Sequence, residues 1–367
     1  MTTRPRGSSS GILLNMTASP IRVGLLGFGA SARTFHLPFL LAEPEQFTVT
    51  AVLERKAEES PRLLPSARVH RDLEAFLADR GWDLAVVTLP NEWHASTAVR
   101  VLESGRAVVV EKPLSVTVQE GETVAAAARQ AGRPAFAYHN RRLDGDFQLV
   151  RGLLERGALG RLVRAEIRYE RWANALRKKA WKEQGAVGSS LLEDLGSHLI
   201  DQALTLFGTP RAVTCRLGIQ RDGSGTVDAF RISLDYGAPR EGLWVDLEAA
   251  MVVRAPQFHW SLQGTGGAFV KSGMDPQEAQ LQQGLSPRSP GFGVESADQA
   301  GILYHASGET ERLSAPPGRY AAFYADVAEV LATGKPALFP VEDGLRVVRL
   351  LELCRQSAAE ARTVAVT

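Results

Sequence analysis

Along the first part of the chain, short apolar runs alternate with stretches whose apolar positions recur at helical spacing. Ile21–Leu26, Phe47–Leu53, Leu84–Thr88, Ala107–Val110 and Ala135–Tyr138 are compact runs dominated by Val, Leu, Ile and Ala. Runs of that length and character predict strands buried on both faces. Between them, Thr34–Leu41, Leu73–Leu77, His94–Leu102 and Val118–Ala131 place apolar residues three and four apart, which predicts helices. Strand and helix in strict alternation predict a parallel sheet wound on both faces.

From Leu162 onward the period changes. Val163–Tyr169, Ala212–Leu217, Phe230–Tyr236, Leu243–Met251 and His259–Leu262 alternate polar and apolar residues without a helix between each. This predicts a large, open, mostly antiparallel sheet with helices on one face, the other meeting solvent or a second subunit. Val327–Leu331 and Val341–Cys354 read as closing helices, and Gly264–Ala300, rich in Gly, Pro, Gln and Ser, as loop and strand edge. The expected fold is α/β: a doubly wound parallel sheet over 20–140, then an α+β domain over 141–367 whose last helices can pack back on the first. Residues 1–19 read as a disordered tail or the product of a start codon upstream of Met16.

Bulk numbers narrow the function. A chain of 367 residues can bury two cores, and its 44% apolar and 23% charged content is that of an ordinary globular protein. The net charge of +1 leaves no electrostatic footprint for nucleic acid or an anionic membrane. No apolar run approaches the ~18 residues of a membrane span. Cys215 and Cys354 have neither metal-ligand spacing nor a disulfide framework, which suits a reducing cytoplasm.

The chemistry collects where predicted strands end. Ile21–Leu26 runs into Gly27-Phe28-Gly29-Ala30-Ser31-Ala32, a G-x-G-x-x-A turn before a helix. Gly27 permits the turn, Gly29 lets backbone approach a pyrophosphate, and Ala32 allows close helix packing. The second strand ends in Glu54-Arg55-Lys56, at the position that reads the adenosine ribose. Glu54 favours NAD, Arg55 and Lys56 favour NADP, and a solvated turn explains the two cations nearly as well; the cofactor is NAD(P). Thr88, Asn91, Lys112 and Asn140 gather at other strand ends. Lys112, between Glu111 and Pro113, sits on the sheet edge where ligands bind and can donate to a substrate oxygen. Asp194 and His198 are i and i+4, stacked if helical, with Asp201 further along that stripe. A carboxylate so placed can fix an imidazole tautomer; an N-cap with a core histidine is the plainer alternative. Chelation lacks a third ligand at suitable spacing, so no metal is expected. Trp172 and Trp181 could stack on a sugar face or sit in the core.

Together these elements resemble the glucose–fructose oxidoreductase/inositol dehydrogenase (Gfo/Idh/MocA) family. The resemblance is carried by Gly27-x-Gly29-x-x-Ala32, Thr88-Leu89-Pro90-Asn91-x-x-His94, Glu111-Lys112-Pro113 and Asp194-x-Gly196-x-His198-x-x-Asp201, and covers the chain after Ser19. Thr34-Phe35-His36-x-Pro38 and Tyr138-His139-Asn140-Arg141-Arg142 are similar to an NADP-dependent scyllo-inositol dehydrogenase subgroup. The resemblance implies hydride transfer between a cyclic polyol or sugar carbinol and nicotinamide. It places Pro90, Asn91, His94 and Glu111 beside the cofactor and Asn140 and Arg141 beside the substrate. Lys112, Asp194 and His198 would be catalytic: His198 as base, Asp194 orienting it, Lys112 opposing alkoxide charge, with the base left open between His198 and Lys112. A homodimer or homotetramer through the second sheet is implied. Glu193 stands where relatives often carry tyrosine, which would alter local charge. Two alternatives remain: a non-catalytic NAD(P)-binding sensor, and an enzyme that retains NAD while cleaving glycosidic bonds.

Overall fold

The computed structural model describes residues 19–56, 58–176 and 188–366. Six parallel strands form the first sheet: β1 (Ile21–Leu26), β2 (Phe47–Leu53), β3 (Arg68–His70), β4 (Leu84–Val87), β5 (Ala107–Val110) and β6 (Ala135–Ala137). Their order is β3-β2-β1-β4-β5-β6, so the winding reverses between β1 and β4. In open parallel sheets that crevice takes the ligand. The ladder continues past the strand ends: Gly27 N bonds Leu53 O, Thr88 N bonds Leu26 O, and Glu111 N bonds Val87 O. Gly27, Thr88 and Glu111 are thereby held side by side along one edge.

The helix Val118–Ala131 begins in a capping box in which Thr117 and Glu120 satisfy each other's orphan amides, and ends at left-handed Gly132. The helix after the glycine turn departs from the simple expectation. It opens with a π turn over Ala32–His36 before an α segment Leu37–Ala42.

The second sheet has nine strands: β7 (Leu162–Glu170), β8 (Ala212–Gly218), β9 (Ala229–Asp235), β10 (Trp244–Ala250), β11 (Trp260–Gly264), β12 (Gly267–Lys271), β13 (Gly301–His305), β14 (Thr310–Leu313) and β15 (Val364–Ala365). They run β14-β13-β12-β11-β7-β10-β9-β8-β15. All neighbours are antiparallel except β7 and β10. The stretch 264–300 is not simply loop. It contains β12 and the helix Gln277–Gln282, anchored by buried Phe269 and Leu281; elements of five and six residues are too short to show a period.

The long helix Val341–Glu360 joins the halves. Its Val341, Leu345 and Val348 pack with Val108 and Val124, while Val347, Leu350, Leu351 and Cys354 pack with Ile232 and Val213. Phe323, Tyr324 and Val327 likewise pack on Val23 and Val109 of the first sheet. No described helix is long and apolar enough to cross a membrane.

Candidate active site

The glycine turn shows what a dinucleotide needs. Gly27 has φ +101°, and a Cβ there would lie 3.1 Å from the Thr88 carbonyl oxygen. A Cβ on Gly29 would meet nothing within 4 Å. Open space at the second glycine is room for a pyrophosphate to approach backbone. Phe28 and Ala32 are buried in the core beneath the turn, and Ala30 is exposed. Thr88 closes the far side, its hydroxyl donating to Gly27 O at 3.1 Å. These residues fit an NAD(P) group.

Glu111 fastens this turn to the lysine that follows it. One carboxylate oxygen accepts from the Ser31 hydroxyl and faces His36 Nε2 at 3.0 Å, and the other accepts from Lys112 N at 3.0 Å. His36 Nδ1 lies 2.7 Å from the Tyr324 hydroxyl. Burial would raise the Glu111 pKa, but the His36 hydrogen bond and charge, with Ser31, hold it down at about 2. The motifs place Glu111 beside the cofactor but do not reveal this network, although Thr34-Phe35-His36 stands out in the chain.

His94 is a strut. Its ring nitrogens face Pro113 O at 2.7 Å and Leu89 O at 2.8 Å, with burial lowering its pKa. It ties the loops after β4 and β5 together. Asn91 Nδ2 donates to Gly188 O at 2.5 Å, while Pro90 is exposed.

Lys112 Nζ reaches across to the second half of the chain. It donates to Asp194 Oδ1 at 2.7 Å and to Asp194 O at 2.8 Å. Asp194 lies in a π turn, Leu192–Gly196, and His198 in the α-helix Ser197–Phe207 that continues it. This corrects the expected pairing. A π turn holds more residues than an α turn, so i and i+4 no longer stack, and the carboxylate turns to Lys112. His198 Nδ1 is buried without a partner. Burial, then the charges of Lys112, Arg141 and neighbouring His139, push the His198 pKa well below its ordinary 6.5. The imidazole is neutral, which is the form that can accept a proton.

Behind His198 lies a wall of buried polar groups. Arg141 bonds Glu278 at 2.5 Å and lies 3.5 Å from Asp144, with its guanidinium 5.1 Å from the Tyr169 ring centroid. Gln202 Nε2 donates to Arg141 O at 3.3 Å, and Tyr169 stacks on His259 with centroids 4.6 Å apart. Arg141 Nε has no hydrogen-bond partner among the described residues, the Tyr169 hydroxyl faces the Gln202 side chain, and His139 Nδ1 lies 3.8 Å from Asp201 Oδ1. Asp201 is not part of an acid–imidazole stripe. Arg142 holds it bidentately, at 2.8 and 2.5 Å, and also bonds Asp343 at 2.6 Å. Tyr169 was legible on the inward stripe Ala165, Ile167, Tyr169; Gln202 carried no signal beyond its place after Asp201.

Asn140 is buried at the head of the 3-10 turn after β6. The Trp172 ring is half exposed, and Trp181 lies outside the described residues. Glu193 leaves the site's charge unchanged, because its carboxylate turns to Arg355 at 2.8 Å and to Ser190. Among the described residues, no cluster of three His, Cys, Asp or Glu side chains could hold a metal ion.

Residues 21–139 match the family described as "Oxidoreductase family, NAD-binding Rossmann fold", and 151–366 match "Oxidoreductase family, C-terminal alpha/beta domain". The chain belongs to the Gfo/Idh/MocA oxidoreductase family. It is 34% identical to scyllo-inositol 2-dehydrogenase (NADP(+)) IolW of Bacillus subtilis, over 94% of this chain and 95% of that one. It is 35% identical to the oxidoreductase YdgJ of Escherichia coli, over 94% and 98%. The solved structure of the oxidoreductase yvaA of Bacillus subtilis superposes with a TM-score of 0.90 at 33% identity, covering 96% of this chain and all of that one. Family membership makes the chain an oxidoreductase with an NAD(P)-binding domain, in line with the geometry of the glycine turn.

Proposed function

We propose that the protein interconverts a secondary alcohol of a neutral cyclic polyol or sugar with its ketone. The observation that carries this reading is Lys112 clamped on Asp194 beside a buried, neutral His198. When bound, the nicotinamide accepts the hydride from the carbinol carbon, or returns it. His198 takes the hydroxyl proton, and Lys112 donates to the same oxygen as negative charge builds on it. Asp194 holds the Lys112 ammonium in place. A positioned base contributes ~10²–10⁴-fold in rate, and an aimed donor ~10²–10³-fold.

Substrate charge follows from how the cations are engaged. Among the described residues near His198, Lys112 is paired with Asp194, Arg141 with Glu278 and Asp144, and Arg142 with Asp201 and Asp343. Among the described residues such pairing leaves no cation to spare for a carboxylate or phosphate on the substrate. Arg141, Tyr169, Gln202 and His139 form a polar wall of donors and acceptors of the kind several hydroxyls would engage. The inositol named for the Bacillus relative belongs to this class.

The test is absorbance at 340 nm with NAD⁺ and NADP⁺ against inositols, aldoses and sugar acids. Turnover with a neutral polyol is expected. Turnover confined to sugar acids would overturn the charge argument. Tight cofactor binding without any turnover would favour a sensor or a retained-cofactor enzyme.

A further inference from the structure

The two loops that meet at the Lys112–Asp194 pair are both tied to a third element, the long helix Val341–Glu360. Arg355 on that helix donates from Nη1 to Glu193 Oε1 at 2.8 Å and from Nη2 to Val116 O at 3.2 Å. Glu193 is the residue before Asp194, and Val116 lies four residues after Lys112. One guanidinium therefore grips the chain on both sides of the pair.

Further bonds pass each grip on to the pair. Glu193 is 6% exposed, and its Oε2 accepts from the Ser190 hydroxyl. Ser190 Oγ accepts from Leu192 N at 3.2 Å, and Ser190 O accepts from Asp194 N at 3.0 Å. The π turn that aims the Asp194 carboxylate is thus closed around a side chain that Arg355 holds. On the other side, Val116 N donates to Glu120 Oε2 at 3.0 Å, and Pro113 O faces His94 Nδ1 at 2.7 Å. Leu114 and Ser115 between these anchors are buried, so segment 112–116 has little slack. Glu352 of the same helix adds a bond, accepting from Val118 N at 2.8 Å. A guanidinium suits this place because its planar fork holds two acceptors at a fixed separation, which an ammonium on a flexible stem does not.

We propose that Arg355 and Glu193 are positioning residues that set the reach of Lys112 to Asp194. Their effect on rate rests on the reading of that pair as part of the reacting site.

The first test needs no substrate. Trace acetylation of the full-length protein with acetic anhydride, read by peptide mass spectrometry, reports how freely the Lys112 amine is presented. In Arg355→Ala and in Glu193→Ala, Lys112 labelling should rise several-fold. Lys271, buried against Glu295 in the second half, should stay protected. No rise at Lys112 would overturn the proposal, and so would equal rises at both lysines, which would mean general loosening. Glu193→Gln keeps an acceptor for Arg355 and a polar partner for Ser190, and should restore wild-type labelling. Failure to restore it would assign the effect to the charge of Glu193 and overturn its positioning role.

The second test uses an alcohol that the wild type oxidises. Arg355→Ala should lower kcat by up to ~10²-fold, the effect of misplacing a reacting group by about an ångström, with KM little changed. In an Asp194→Asn background the same change should cost little more, because both act through one contact. Additive losses would overturn the proposal. A wild type that oxidises no alcohol, with Lys112 labelling as expected, would sink the proposed reaction and leave the brace standing. Turnover with unchanged labelling would sink the brace alone.

Discussion

Lys112 Nζ lies 2.7 Å from Asp194 Oδ1, although the two residues belong to different halves of the chain. Lys112 follows a strand of the parallel sheet, and Asp194 sits on a π turn that opens a helix of the second half. The pair thus forms only when the two halves dock. It fixes the ammonium over the crevice beside His198 while holding a counter-charge against it.

Removing that counter-charge tests its role. Asp194→Asn keeps the backbone carbonyl that also accepts from Lys112 Nζ, so the lysine is loosened but not released. A fall in kcat of ~10²-fold is expected for loss of an aimed electrostatic contact, with NAD(P)H affinity near that of the wild type. Steady-state kinetics beside a fluorescence titration give both numbers. Unchanged kcat would show that the pair is only a domain clasp.

His198 links the site to acid stability. Its folded pKa lies well below the ordinary 6.5, so below pH 6.5 the unfolded chain takes up a proton that the folded chain refuses. Stability from this group is present above pH 6.5 and is lost as pH falls toward the folded pKa. Every tenfold by which folding weakens proton binding corresponds to about 1.4 kcal/mol. The His198→Gln variant lacks this loss, so its stability relative to wild type should rise between pH 7.5 and 5.5. Urea midpoints at the two pH values measure it, and a constant difference would falsify the neutral-imidazole assignment.

Glu111 should behave in the opposite sense. Its folded pKa of about 2 is below the ordinary 4.5, so its contribution is present above pH 4.5 and lost as pH falls through about 2. Glu111→Gln loses the charge on bonds to Ser31, His36 and Lys112 N. A cost of roughly 1–3 kcal/mol is expected at neutral pH, shrinking as the wild-type carboxyl protonates. Denaturant unfolding at pH 7 and pH 3 should show the gap narrowing.

The two loop glycines should fail in different ways. Gly29→Ala adds a methyl to open space, so stability should stay within about 0.5 kcal/mol while NAD(P)H binding weakens. Gly27→Ala forces a side chain onto φ +101° and against Thr88, costing on the order of 1–3 kcal/mol. Melting curves with and without NAD(P)H distinguish them. A Gly29→Ala protein that binds NAD(P)H normally would move the phosphate site elsewhere.

Much of this protein is decided locally, and that part was legible in the chain. Ile21–Leu26, Phe47–Leu53 and Ala107–Val110 are strands because unbroken apolar runs of that length have no other way to bury both faces. Gly27-x-Gly29 marks a phosphate turn because only glycine tolerates the one conformation and leaves the other approach open. Lys112 stands at a strand end by simple adjacency in sequence. What a side chain turns toward is not local. Asp194 faces Lys112 and not His198 because a π turn inserts an extra residue, and no period in the sequence announces one. Glu54 points inward because Ser60 is folded back beneath it, Glu193 because Arg355 waits on the last long helix, and Arg141 meets Glu278 across more than a hundred residues of chain. Each partner is brought within reach by packing between distant segments. Local pattern in the chain specifies which groups this protein owns and which elements carry them; packing between distant segments pairs them, because hydrogen bonds are set by separations of about 3 Å that spacing along a chain does not encode.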